Sequence, residues 1–246
     1  MTTQTLAQLR ELKLGGMARG LEAQHEQIGT YEGLSFDERL TLLVEQEQLL
    51  RDQRKRDRLV RQARFKLQAA IADIDYQHPR NLDKARIAQL AQPDWLARSQ
   101  NLLITGPCGS GKTFLACAIG HNACLQGLSV RYYRLSRLLL ELTQARAEGS
   151  YRQMLKRLKR TDLLILDDWG LEPLQGVQRH DMLEIMDDRH GHASTAVVSQ
   201  LPFDQWYASI GDNTLADAIL DRLMHNAHRL QLKGESMRKR QKVDPT

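Results

Sequence analysis

The chain has 246 residues, 41% of them hydrophobic and 26% charged, with a formal net charge of +5. That balance fits a globular protein with a real core, and no apolar run approaches the roughly 20 residues of a membrane span. The opening "MTTQTLAQLRELKLGGMARG" is polar where a secretory leader would be apolar, so the chain is expected in the cytoplasm, with Cys108, Cys117 and Cys124 reduced.

In chain order, Leu6, Leu9, Leu12 and Leu14 open a helix that Gly15-Gly16 breaks. Next, "SFDERLTLLVEQEQLLRDQRKRDRLV" carries Leu40, Leu43, Val44 and Leu50 at helical spacing, and Ser35 with Glu38 forms a capping box. The stretch "RDQRKRDRLVRQARFK" sets Arg51, Arg54, Lys55, Arg56, Arg58, Arg61, Arg64 and Lys66 against Asp52 and Asp57. Read as a helix over 51–66, it spreads these basic groups around most of its surface, with only Leu59, Val60 and Phe65 to dock it. Such a surface suits contact with DNA phosphates, which needs charge but no base code. A merely solvated helix face is the plainer alternative. Residues 1–70 are thus expected to be a helical region for oligomer, DNA or partner contact. Pro79, Pro93 and the polar text around them make 71–100 a connector of short helices.

From Asn101 the pattern changes to short apolar runs between helices. "NLLIT", "SVRYYR", "LLILD", "TAVVS" and "HRLQL" read as strands, and helices are expected near 112–126, 136–160, 177–190 and 213–228. Alternation of this kind means an α/β fold, a five-stranded parallel sheet with helices on both faces, here over 101–235. Within it, "RYYRLSRLL" places Arg131, Arg134 and Arg137 beside Tyr132 and Tyr133, either a second DNA contact or ordinary sheet packing. Residues 236–246 are a basic tail whose "MRKRQK" is an arm on DNA or a solubilising end.

The chemistry concentrates in "NLLITGPCGSGKTFLACAIG". Gly106, Pro107, Cys108, Gly109, Ser110, Gly111, Lys112 and Thr113 fit the phosphate-loop pattern, with Phe114 next in the helix that the loop opens. Glycines let the backbone curl so that several N–H groups face one anion at a helix start. Lys112 is expected to reach the β- and γ-phosphates, and the Thr113 hydroxyl to ligate Mg²⁺. "DLLILDDWG" ends a buried strand in Asp167, beside the metal, and Asp168, placed to orient or deprotonate an attacking water. The acid pair points to hydrolysis of ATP; the bland alternative is two acids solvating a strand end. "TAVVSQLP" ends in Ser199 and Gln200, either of which can face the γ-phosphate if this strand lies between the two motif strands. A simple strand-to-turn transition before Pro202 would also produce this text.

With loop, Asp-Asp pair and polar strand end in this order, the chain resembles an AAA+ ATPase. More narrowly it resembles the IstB transposition helpers, kin of the DnaC helicase loaders, over about residues 35–240. "DDRHGHASTAVVSQLPFDQWY" and "DAILDRLMHNAHRLQLKGESMRKR" carry the resemblance together with the loop and the acid pair. It implies an N-terminal helical region, a five-stranded P-loop core and no substantial C-terminal lid. It also implies a homo-oligomer with ATP at subunit interfaces, bound to duplex DNA with little regard to sequence, supporting a transposase of the same insertion element. "AILDRL" falls in the family's arginine-finger region, so Arg222 is expected to reach a neighbouring subunit's ATP, unless it only pairs with Asp217 or Asp221. Arg189 is a second intersubunit candidate, and Arg238 stands where some relatives carry a second nucleotide sensor. Cys108 departs from the usual proline or small residue, at a position that lends only backbone. A helicase loader, and a DNA scaffold gated by ATP with incidental hydrolysis, are the alternative readings.

Overall fold

The structure is a computed structural model that describes residues 2–237, and it divides into two compact units on either side of the Arg58–Leu59 bond. The first unit is helical: α1 (Thr2–Glu11), α2 (Gly15–Glu26), the short α3 (Ile28–Tyr31) and most of α4 (Phe36–Ala63). The capping box forms as expected. Ser35 N–H donates to Glu38 Oε2 at 2.7 Å, and Glu38 N–H returns to Ser35 Oγ at 3.3 Å. The first helix stops at Glu11, before Leu12 and Leu14, where Lys13 takes φ +61°. Gly15-Gly16, expected to break it, opens α2 instead, and the reason lies across the unit. A Cβ on Gly16 would sit 2.4 Å from Glu47 Cα, so only glycine lets α2 lie backbone to backbone on α4. The uncapped N–H groups of Gly16 and Met17 donate to Glu47 Oε2 at 2.6 and 3.3 Å. A carboxylate from one helix thus satisfies the amino end of another.

In the second unit, β1 (Asn101–Thr105), β2 (Val130–Arg134), β3 (Leu163–Trp169), β4 (Ser194–Ser199) and β5 (Ala227–Gln231) make one parallel sheet among the described residues, in the order β2-β3-β4-β1-β5. Each central strand is buried on both faces, as helix-covered parallel strands are. Leu102, Ile104, Ile165 and Val198 face one apolar cluster with Leu59, Ala63 and helices α5 (Lys84–Leu90), α6 (Asp94–Ala97) and α7 (Lys112–Leu125). Leu103, Leu164, Leu166 and Val197 face the other, with α8 (Leu135–Ala147), α9 (Tyr151–Lys159), α10 (Val177–Arg189), α11 (Trp206–Ile210) and α12 (Asn213–Met224). No described helix is long and apolar enough to cross a membrane.

Three later helices also differ from expectation. The helix expected over 136–160 is two, because Gly149 takes φ +75° and Ser150 N–H reaches back to the Ala145 carbonyl at 2.8 Å, a left-handed cap that ends α8. α4 stops at Ala63 and not at residue 66, with Arg64 at φ +56° turning the chain away. The helix expected to reach 228 ends at Met224 because β5 already begins at Ala227.

Candidate nucleotide-binding site

The phosphate loop joins the carboxyl end of β1 to the amino end of α7, at the point where the strand order reverses between β4 and β1. Gly111 has φ +90°, a backbone conformation that L side chains rarely adopt, and a Cβ there would meet Arg80 Nη1 at 2.4 Å. Ser110 closes the turn by donating to the Pro107 carbonyl at 2.9 Å. Lys112 is buried, and its ammonium donates to the carbonyls of Gly106 and Pro107 at 2.7 and 2.8 Å. The loop therefore holds a cation beneath it and the amino end of a 14-residue helix at its exit, a pairing suited to a phosphate chain.

The acidic edge faces this loop. Asp167, 1% exposed, accepts from Thr113 Oγ1 at 2.9 Å and from Tyr132 Oη at 2.6 Å, both at Oδ2. Burial first, then the bond to Asp167, push the Tyr132 hydroxyl far above its ordinary pKa, so it stays a donor. In a regular strand Asp167 and Asp168 would point to opposite faces. Here the register of β3 against β4 slips between Leu166 and Trp169, so two residues stand opposite Val198 alone. This bulge, with Asp168 at φ +61°, brings both carboxylates to one cleft. Arg134 Nε pairs with Asp168 Oδ2 at 3.0 Å. Thr113 and Asp167 offer a hydroxyl and a carboxylate oxygen, the hard donors that fit magnesium beside substrate phosphates.

The cleft measures about 610 Å³ and is lined by Cys108, Gly109, Gly111, Lys112, Thr113, Phe114, Asp167, Asp168, Ser199 and Gln200. The two strand-end candidates differ. Ser199 is buried, donates to the Trp169 carbonyl at 2.7 Å and accepts from Leu201 N–H at 3.0 Å, so its hydroxyl ties β4 to β3. Gln200 is exposed in the same cleft.

The connector contributes a wall that the sequence pattern did not mark. Asp73, Asp75, His78 and Arg80 line the cleft with Met237. Arg80 is 2% exposed and donates to the Ser110 carbonyl at 3.1 Å and the Asp75 carbonyl at 2.7 Å, bracing the loop from behind. Burial pulls its pKa down, against the pull of Asp75. These residues come from an aperiodic segment, where no spacing rule separates a binding wall from a link.

Other candidates lie elsewhere or have other work. Lys66, read as the end of the basic stretch, lines the cleft 4.0 Å from Asp167 Oδ2. Arg51, Arg54, Lys55, Arg56, Arg58, Arg61 and Arg64 are exposed, Arg51 in an ion pair with Glu47 at 2.6 Å. In "RYYRLSRLL", Tyr132 and Tyr133 are buried in the sheet, Arg131 donates to the Gln62 carbonyl at 2.8 Å, Arg134 pairs with Asp168, and Arg137 is exposed. Arg189, expected at an intersubunit contact, is instead 1% exposed, donating to the carbonyls of Leu158, Thr161 and Ser194 and to Thr195 Oγ1. Arg222, the finger candidate, is half-buried on α12 and paired with Asp187, not with the Asp217 or Asp221 of the alternative reading. Its carbonyl accepts from Asn101 Nδ2 at 2.9 Å, which sets it at the amino end of β1, away from the cleft at the other end. Arg238 and the terminal basic run lie outside the described residues.

The strand order, the loop on β1 and the acid-tipped β3, one strand removed from it, together define an ATP-binding protein of the AAA+ class. Solved structures bear out the fold: a DnaI crystal structure matches with a TM-score of 0.57 at 20% identity over 73% of this chain and 92% of that one. AMPPCP-bound DnaA from Aquifex aeolicus matches with 0.58 at 15% over 71% and 53%. The chain belongs to the IstB-like ATP binding protein family, which it matches over residues 7–245. It is 47% identical to a protein of Sinorhizobium fredii named as an insertion sequence ATP-binding protein, across 97% of both chains. It is 50% identical to one of Pseudomonas fluorescens named for insertion sequence IS1162, across 82% of this chain and 87% of that one.

Proposed function

We propose that this chain is a magnesium-dependent ATP hydrolase that assembles on duplex DNA as a homo-oligomer and helps a transposase choose or capture its target. The observation that carries the hydrolytic part is the bulge that turns Asp167 and Asp168 into one cleft with Thr113 and Lys112. A protein that only held a nucleotide would need the first carboxylate and not the second. In this reading Lys112 and the loop N–H groups hold the triphosphate, and Thr113 and Asp167 hold the metal. Magnesium, when bound, neutralises charge on the phosphate oxygens. Asp168 orients or deprotonates the attacking water, Gln200 faces the terminal phosphate, and Arg222 serves the neighbouring subunit. The exposed arginines of α4 supply DNA contact without a base code.

The names of the similar insertion-sequence proteins support the transposition setting, and in this reading the work is cytoplasmic. The DnaI and DnaA likenesses support only the fold. The test is an ATPase assay with no DNA, duplex DNA and single-stranded DNA, paired with particle size under ATP and ADP. Duplex-stimulated turnover with ATP-dependent assembly is expected. A chain that stays a monomer and ignores nucleotide in the presence of DNA overturns the proposal. Stimulation by single strands alone turns it toward helicase loading.

A further inference from the structure

Lys66 has no role in the hydrolytic scheme, yet it lines the cleft. The backbone leaves α4 at Ala63, Arg64 reverses it at φ +56°, and Phe65 packs against α7, its Cε1 2.8 Å from where a Cβ on Gly120 would lie. These constraints deliver the next side chain, Lys66, into the cleft with its ammonium 4.0 Å from Asp167 Oδ2 and about a third of the side chain exposed. The same oxygen already accepts from Thr113 and Tyr132. Those two donors are neutral: they fix the carboxylate but do not balance its charge. Lys66 brings a full positive charge to it. A divalent ion held by Thr113 and Asp167 would bring two more to the same oxygen, and cations a few ångströms apart in a partly buried cleft repel strongly.

Resting on the nucleotide-site reading, we propose that Lys66 is the protein's own counter-cation for Asp167, exchanged for the divalent ion that accompanies a nucleotide. Without the metal, Lys66 screens Asp167 from the triphosphate. With the metal, the ammonium leaves Asp167, and the 64–67 segment that follows the basic helix α4 moves with it.

The test titrates the full chain with a fluorescent, non-hydrolysable ATP analogue, in excess chelator and in magnesium. Lys66→Met is expected to weaken binding about tenfold in chelator and to change it less than about twofold in magnesium. Lys66→Arg, which keeps the charge, is expected to match wild type in both. In wild type, adding magnesium to the analogue-bound chain should also raise amide hydrogen exchange over residues 62–68, a response that Lys66→Met loses. An equal effect of Lys66→Met in both conditions, or none in either, overturns the exchange. If wild type binds the analogue in neither condition, the phosphate loop assignment itself fails, and the exchange with it.

Discussion

At the scale of single residues, Asp168 is held in a conformation that costs most side chains energy. A left-handed φ of +61° is tolerated by aspartate and asparagine far better than by other non-glycine residues. Asparagine at 168 therefore keeps the bulge and removes only the charge and the basicity. Asp168→Asn is expected to cut ATP turnover by about 10² to 10⁴, the usual worth of a positioned general base, with nucleotide affinity within about twofold of wild type. Steady-state ATPase and an equilibrium titration decide it; normal turnover removes Asp168 from the chemistry, and abolished turnover with normal assembly and transposition favours the scaffold reading. Lys112→Ala should do the opposite and abolish tight binding, because its ammonium anchors the loop and, as proposed, holds the triphosphate. The residues legible in the sequence are those whose type and offset the chemistry dictates: the loop glycines, Lys112, Thr113, Asp167 and Asp168. Lys66, His78 and Arg80 were not legible as cleft residues, because aperiodic backbone brings them there. The bulge was equally silent: "LLILD" reads as a strand ending in Asp167, and no residue signals that it slips and runs on to Trp169.

At the scale of elements, the join between α2 and α4 makes a pH-dependent claim. Burial pushes the Glu47 carboxyl up, but Arg51 and the N–H groups of Gly16 and Met17 outweigh it and hold it below the ordinary carboxylate value. A group with a depressed folded pKa contributes stability that is present above its unfolded value, near 4.3, and is lost as pH falls through the folded value. Glu47→Gln is therefore expected to lose about 1 to 3 kcal/mol at pH 7 and to show a flatter decline below pH 4 than wild type, read by thermal melts of the helical signal. Matching pH profiles would show that the charge at this join does nothing. Gly16→Ala tests the same join sterically. With backbone atoms of Gln46 and Glu47 within 2.7 Å of the added carbon, a loss of about 1 to 3 kcal/mol is expected, and an unchanged melting temperature would contradict the close approach. Strands were legible here because apolar runs between turn residues have few other uses. Helix ends were less so. Gly149 stopped α8 through its φ, and Arg64 stopped α4 with a residue type that carries no stop signal.

At the scale of the whole molecule, the proposed work of the basic stretch and of Arg222 is on other molecules. Charge reversal at Arg54, Lys55, Arg56 and Arg58 should weaken duplex binding and flatten the dependence of log affinity on log salt by about 0.9 for each phosphate no longer neutralised. An unaltered slope sends the DNA path elsewhere. Arg222 poses a sharper question, because it cannot serve its own chain. It sits beside Asn101 at the start of β1, while the phosphate loop leaves β1 after Thr105, on the order of 13 Å along the strand. Arg222→Ala should thus bind ATP normally yet hydrolyse about 10³- to 10⁵-fold more slowly. Lys112→Ala should also be inactive, for the opposite reason: it keeps the arginine and lacks the site. Mixed in one assembly, some interfaces pair an intact cleft from the first variant with an intact Arg222 from the second. Turnover should then reappear in the mixture, rising with the product of the two fractions, although neither variant turns over alone. Mixtures that stay silent while co-assembling would show that Arg222 is held by Asp187 for structural reasons and that the finger, if there is one, lies elsewhere.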